Sequence, residues 1–198
     1  MKRSLKANQR GYTLVEVLSA MTLFAIGAAG VIGMQRTTIL GGDDARKMDL
    51  ATNLAHEWMA RIHRDASFWT KPSPSFPTVN NITETQWLAP IDGQTSTGWI
   101  TPAFDNAKPD GNSPFADFYG RDRPTGTDHV FCTQYRLAWI SPIGAATALR
   151  LTSQVRVDIR VFWARLDNGI IGNCASLPVA LTDPAAKQYY HFVYASTA

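Results

Sequence analysis

One carboxylate in this chain stands where a carboxylate is expensive. Glu16 is the sole charge in the apolar run Tyr12–Met34. At mid-membrane such a group costs about 2.5 to 3.5 kcal/mol on insertion scales, so it calls for a partner or a function. The run is preceded by Gly11, whose lack of a side chain lets a protease approach the backbone closely. A cut between Gly11 and Tyr12 would create an α-amino group on Tyr12, about 6 Å along a helix from Glu16. In a low-dielectric layer that ammonium and the carboxylate attract strongly, whereas either one alone keeps its desolvation penalty. The pair can form within one chain, or between the amine of one chain and Glu16 of another, which would turn the acid into a polymerisation register.

Other chemistry-bearing residues do not assemble into a site. His56, His63, His129 and His191 are scattered, and the first two lie seven residues apart with no third ligand at metal spacing. No G-x-S-x-G, phosphate-binding glycine loop or zinc motif occurs. Asp105-Asn106 and Asp110-Gly111-Asn112 lack the spacing of an EF-hand loop. No catalytic residue, metal or cofactor is expected, which points to a structural protein rather than an enzyme.

The element that must carry Glu16 is a helix. At about 1.5 Å per residue, residues 12–34 reach about 35 Å, enough to cross a hydrocarbon layer of about 30 Å. Lys2, Arg3, Lys6 and Arg10 precede the run while only Arg36 closely follows it. The positive-inside rule therefore leaves residues 1–10 in the cytoplasm and sends the remainder outside. Those four cations also account for the formal charge of +3, which becomes −1 without residues 1–11, so no basic domain face for nucleic acid is indicated. A cleaved secretory signal fits less well, because Gly27-Ala28-Ala29 is a poor A-x-A site and Glu16 interrupts the apolar core.

The stretch Arg10-Gly11-Tyr12-Thr13-Leu14-Val15-Glu16-Val17-Leu18 resembles the cleavage and methylation signature of type IV prepilins, in which a short basic leader ends in Gly and a Glu follows five residues on. Ala20-Met21, Gly27, Gly30, Gly33 and Gln35, with Ala51-Thr52-Asn53-Leu54-Ala55, Met59 and Arg61, resemble the minor pilins of the PilV group more than major pilins. The likeness covers about the first 65 residues. It implies cleavage after Gly11 by a prepilin peptidase, N-methylation of Tyr12, and extraction into a filament by an inner-membrane assembly platform, with Glu16 carrying assembly. It also implies other minor pilins and the major pilin as partners.

Beyond the membrane run, Ala51, Leu54, Ala55, Trp58, Met59 and Ile62 recur at three- and four-residue spacing, which predicts an amphipathic helix lying on a folded domain. A continuous helix from Tyr12 to about Asp65 would be roughly 80 Å long. Gly41-Gly42-Asp43-Asp44 is expected to kink or break it, because each glycine costs about 1 kcal/mol and Asp favours a new helix start. Gly27, Gly30 and Gly33 weaken the first half similarly. The prolines of Lys71-Pro72-Ser73-Pro74-Ser75-Phe76-Pro77 end the helix. To about Thr127 the chain is irregular, yet Phe76, Trp87, Trp99, Phe104, Phe115, Phe118 and Tyr119 make it too aromatic for a disordered linker. These rings are expected to pin loops onto the sheet, or else to offer a surface for a sugar or partner.

From Leu149 to Trp163 apolar and polar residues alternate, broken only at Ser153 and Phe162, which predicts a half-buried antiparallel strand or a bent pair of strands. Val130–Ile140 and Tyr189–Ala195 supply neighbours. The fold class is α+β, a long N-terminal helix packed on a small antiparallel sheet. Cys132 and Cys174 both fall outside the membrane, so one disulfide is expected; closing a loop of about 43 residues stabilises by roughly 4 kcal/mol through chain entropy. The domain reading is thus a leader over 1–11, a membrane and filament-core helix over 12–34, an amphipathic helix over 35–65, and a periplasmic domain over 66–198. That domain comprises loops over 66–129 and a sheet over 130–198. The function this implies is a minor type IV pilin that primes or joins filament assembly, in the tip complex, for adhesion or twitching motility. The alternative is a minor pseudopilin of a type II secretion system.

Overall fold

The computed structural model describes residues 12–69, 82–103, 113–123, 129–140, 154–165, 174 and 189–198. Helix α1 runs Leu14–Trp69. Two short 3-10 helices, Ile82–Glu84 and Ala89–Ile91, follow, then strands β1 (Phe115–Ala116), β2 (Phe131–Trp139), β3 (Val155–Ala164) and β4 (Tyr190–Thr197). The strands form one sheet in the order β1-β2-β3-β4, antiparallel throughout. The architecture is α+β, as the residue pattern predicts. The chain divides into two compact units, Met1–Arg46 and Lys47–Ala198.

The glycine pair does not break the helix, contrary to expectation, because hydrogen-bonded helix continues through Gly41-Gly42-Asp43-Asp44. Two glycines cost about 1 kcal/mol each, but a break would orphan up to four N–H and four C=O groups and require a second nucleation. Asp43 also stands four residues before Lys47, an acid-then-base order that favours an unbroken helix.

In the second unit, Ala51, Leu54, Ala55, Trp58 and Ile62 are buried on one stripe of α1 and pack with Tyr135, Leu137, Val157, Ile159 and Val161 of the sheet. The stripe has the predicted helical spacing, and the sheet residues lie on one face because side chains alternate along each strand. The Trp58 ring meets Trp87 edge-on at 5.2 Å, and Trp87 meets Tyr135 at 6.3 Å. Trp87 thereby fastens its loop to the core, the first of the two roles foreseen for the loop aromatics. Helix α1 outlasts its expected end by one turn. Just before that turn the buried Asp65 carboxylate accepts the backbone N–H groups of Gln86 (2.9 Å) and Trp87 (2.7 Å), tying the loop to the helix end.

Three strands match their expected positions closely, although Leu149–Ser153, Lys71–Pro77, Phe104 and the Asp105–Asn112 stretch lie outside the described residues. Strand β1, inside the predicted loop region, was not foreseen; a two-residue strand has no periodicity to show. Strand β3 is also not half-buried, since Asp158, Arg160 and Phe162 on its polar face are buried too. Phe162 is covered in a second small cluster on the face away from α1, with Phe115, Cys132 and Cys174, while Arg160 lies against the Trp99 ring and Asp158 among Arg136, Arg156 and Ser196. The segment around Ile100 covers the free side of β2 as well, through Ile100 N–H to Tyr135 O (2.8 Å) and the reciprocal bond (3.0 Å).

Candidate functional site

Residues 12–40, the start of the described chain and the first half of α1, carry no buried side chain. Tyr12, Leu14, Val15, Leu23, Phe24, Ile26 and Ile32 all lie open, the opposite of the burial in the second unit. Apolar surface of this extent on one helix marks a membrane or protein interface rather than a solvated surface, and the helix is long and apolar enough to cross a bilayer. Gly27, Gly30 and Gly33 face open space, with no atom within 4 Å of where a β-carbon would sit.

Glu16 sits in the first turn of this helix. Thr13 precedes the first helical residue, and its Oγ1 accepts the N–H of Glu16 at 3.3 Å while its carbonyl accepts the same N–H at 3.0 Å. Thr13 is thus the N-cap and Glu16 the third helical residue, the spacing of a capping box. A carboxylate here also complements the positive end of the helix dipole. The Thr-x-x-Glu signal is visible in the sequence, and the reading of Glu16 as a lone charge overlooked it. Tyr12 is exposed at the very start of the described chain, which leaves its backbone nitrogen close to the helix N-terminus; Gly11 lies outside the described residues.

Cys132 and Cys174 are bonded to each other, with 5.7 Å between their Cα atoms, and both are fully buried. His129, which spacing alone did not connect with them, offers a ring nitrogen within 4.8 Å of both sulfurs. Metal ligation needs thiolates, so with the sulfurs joined this trio offers only the imidazole. Its visible packing is against Phe115, with ring centres 4.7 Å apart.

On the face of the sheet away from α1 the register sets up polar rows that the sequence did not reveal. Arg136 pairs across to Asp158 and on to Ser196, and Gln134 pairs to Arg160 and on to Tyr194. Asp158 accepts from Arg136 Nη2 (2.7 Å) and Ser196 Oγ (2.9 Å), and Arg156 lies at 3.3 Å. Burial pushes the Asp158 carboxyl up, but these donors and cations more than offset it and hold the group below its ordinary value. Arg160 is buried, and its Nε donates to Gln134 Oε1 at 2.8 Å. Burial lowers its guanidinium pKa.

Residues 6–32 match the prokaryotic N-terminal methylation motif. The match spans the second half of the leader, Gly11, Tyr12, Glu16 and most of the apolar run. No curated protein matches the chain, and no solved structure does. The motif supports a type IV pilin-like or pseudopilin-like protein.

Proposed function

We propose that the chain is a minor type IV pilin. It is held in the inner membrane by residues 12–34 with residues 66–198 in the periplasm, then moves to a surface filament. A prepilin peptidase cuts between Gly11 and Tyr12 and methylates the new amine. Glu16 then pairs with the amine of a neighbouring pilin, so that entry into the filament relieves the desolvation of both charges. In this reading the protein joins other minor pilins in the tip complex, where it primes assembly of the major pilin and serves adhesion or twitching motility.

The observation that carries the proposal is Glu16 in the first turn of a helix whose apolar first half buries no side chain, within a matched methylation motif. Mass spectrometry of protein from native membranes is expected to show a chain starting at methylated Tyr12. Glu16→Ala is expected to be cleaved and inserted normally yet to be missing from sheared filaments; normal incorporation of that variant defeats the proposal. A minor pseudopilin of a type II secretion system shares this N-terminal chemistry. Deletion distinguishes the two, since loss of piliation supports the pilin and loss of secretion with intact pili supports the pseudopilin.

A further inference from the structure

The sheet face away from α1 carries a stripe of rings ending in a cluster of cations. Tyr190, Phe192 and Tyr194 alternate along β4 and so project to this face. Their ring centres are 6.5 Å and 6.2 Å apart, the second pair nearly parallel at 19°. Trp99 extends the stripe, 6.3 Å from Tyr194. Two guanidiniums lie against Trp99, Arg160 at 4.2 Å and Arg136 at 5.0 Å from its ring centre. Arg136 and Arg156 share Asp158, the sole carboxylate bonded to them among the described residues, while Arg160 donates to the neutral Gln134. Among the described residues the patch therefore holds an excess of positive charge beside a stripe of rings that are half-buried, except for the exposed Tyr194. Tyr194 is 51% exposed, and the Arg136 and Arg156 side chains are 40% and 49% exposed.

We propose that this face binds a linear saccharide bearing carboxylate groups, such as a polyuronate. A pyranose ring presents C–H bonds of partial positive charge, which suit the negative face of an aromatic ring. A row of rings at regular spacing can seat successive sugars. Arg136 and Arg156 are each part-exposed while sharing the single carboxylate of Asp158, and guanidinium matches carboxylate in two-pronged geometry. Arg160, buried beneath Trp99 and held by Gln134 and Tyr194, fixes the indole by cation–π attraction and adds charge without side-chain motion. Nucleic acid would also stack on rings, but it brings a phosphate per nucleotide and wants an extended basic groove. Over residues 47–198, Lys and Arg only balance Asp and Glu, which favours a ligand with sparser charge. The inference holds whether or not the chain enters a filament.

The test uses the full mature chain in detergent, titrated by calorimetry with tetragalacturonate, neutral maltotetraose, a thymidine oligonucleotide and polyglutamate. Tetragalacturonate is expected to bind about tenfold or more tighter than maltotetraose. Arg156→Gln and Trp99→Ala are each expected to weaken it by about fivefold or more. Arg156 is exposed, so its variant decides the matter even where Trp99→Ala fails to unfold cooperatively. Absence of tetragalacturonate binding overturns the proposal, as does equal affinity for the neutral sugar. So does equal or tighter binding of the oligonucleotide or polyglutamate, or binding that neither substitution changes.

Discussion

Glu16 has two roles that its position alone cannot separate. As third helical residue it belongs to the first-turn cap with Thr13, whose hydroxyl accepts its N–H at 3.3 Å; as a charge it can neutralise an amine. Glu16→Gln separates them, because an amide keeps the shape and hydrogen-bonding oxygen of the capping box but has no charge. The charge-pair reading expects Glu16→Gln to be cleaved and yet excluded from filaments as fully as Glu16→Ala, measured by immunoblot of sheared fibres. In the folded domain, Asp117 and Asp158 make a second residue-scale prediction. Burial raises both carboxyls, but the Arg121 and Tyr119 N–H groups with Arg123 at Asp117, and Arg136, Ser196 and Arg156 at Asp158, outweigh it and leave both below the ordinary 3.8. A depressed folded value gives stability that is complete above the unfolded value and drains away as pH falls through the folded one. Asp122, raised mainly by burial despite Arg61, works in the opposite sense and offsets part of the loss. The urea midpoint is therefore expected to fall as pH drops below about 4. An Asp117→Asn/Asp158→Asn double variant should show a flatter profile, and an unchanged slope would refute the assignment.

At the scale of elements, α1 is one helix whose two halves bury opposite amounts. Its glycines meet no neighbour within 4 Å, so Gly41→Ala and Gly42→Ala add a methyl without a clash and should each stabilise the helix by about 1 kcal/mol. Hydrogen exchange of amides between residues 38 and 48 is expected to slow in the double variant; unchanged or faster exchange would mean the glycines are favoured by something beyond helix propensity. The packed half was legible in advance because Leu54, Trp58 and Ile62 repeat at a period only a helix satisfies, and β3 was legible from its alternation. Strand β1 and the burial of Asp158 and Arg160 were not. Both depend on contacts distant in sequence, made by Cys174 bonded to β2 beside Phe115 and by Trp99 reaching over Arg160 from the segment before β1. Similarly, Glu16 announced itself by its cost in an apolar run, while its cap needed only the three-residue step back to Thr13. The pairing of Arg160 with Gln134 required the strand register, which no local pattern encodes.

For the molecule as a whole, the disulfide is the covalent link that reaches from β2 to a residue 42 positions along the chain. Within that interval lie the whole of β3 and the segment up to Cys174. The unfolded chain without this link has many more conformations, so its removal should cost roughly 4 kcal/mol by chain entropy. The cost is felt by the sheet domain rather than by the exposed apolar half of α1, because both sulfurs lie in the cluster with Phe115 and Phe162. Substitution leaves a second signature: Cys132→Ala removes a fully buried sulfur and strands a thiol at Cys174, whereas Cys132→Ala/Cys174→Ala removes the pair symmetrically. The double variant is expected to unfold at lower urea with little change in membrane insertion, and native wild-type protein should label with maleimide only after reduction under denaturing conditions. Labelling of two thiols in untreated native protein would show that the bond is absent. An unchanged urea midpoint in the double variant would show that packing around Phe162 holds the loop without it.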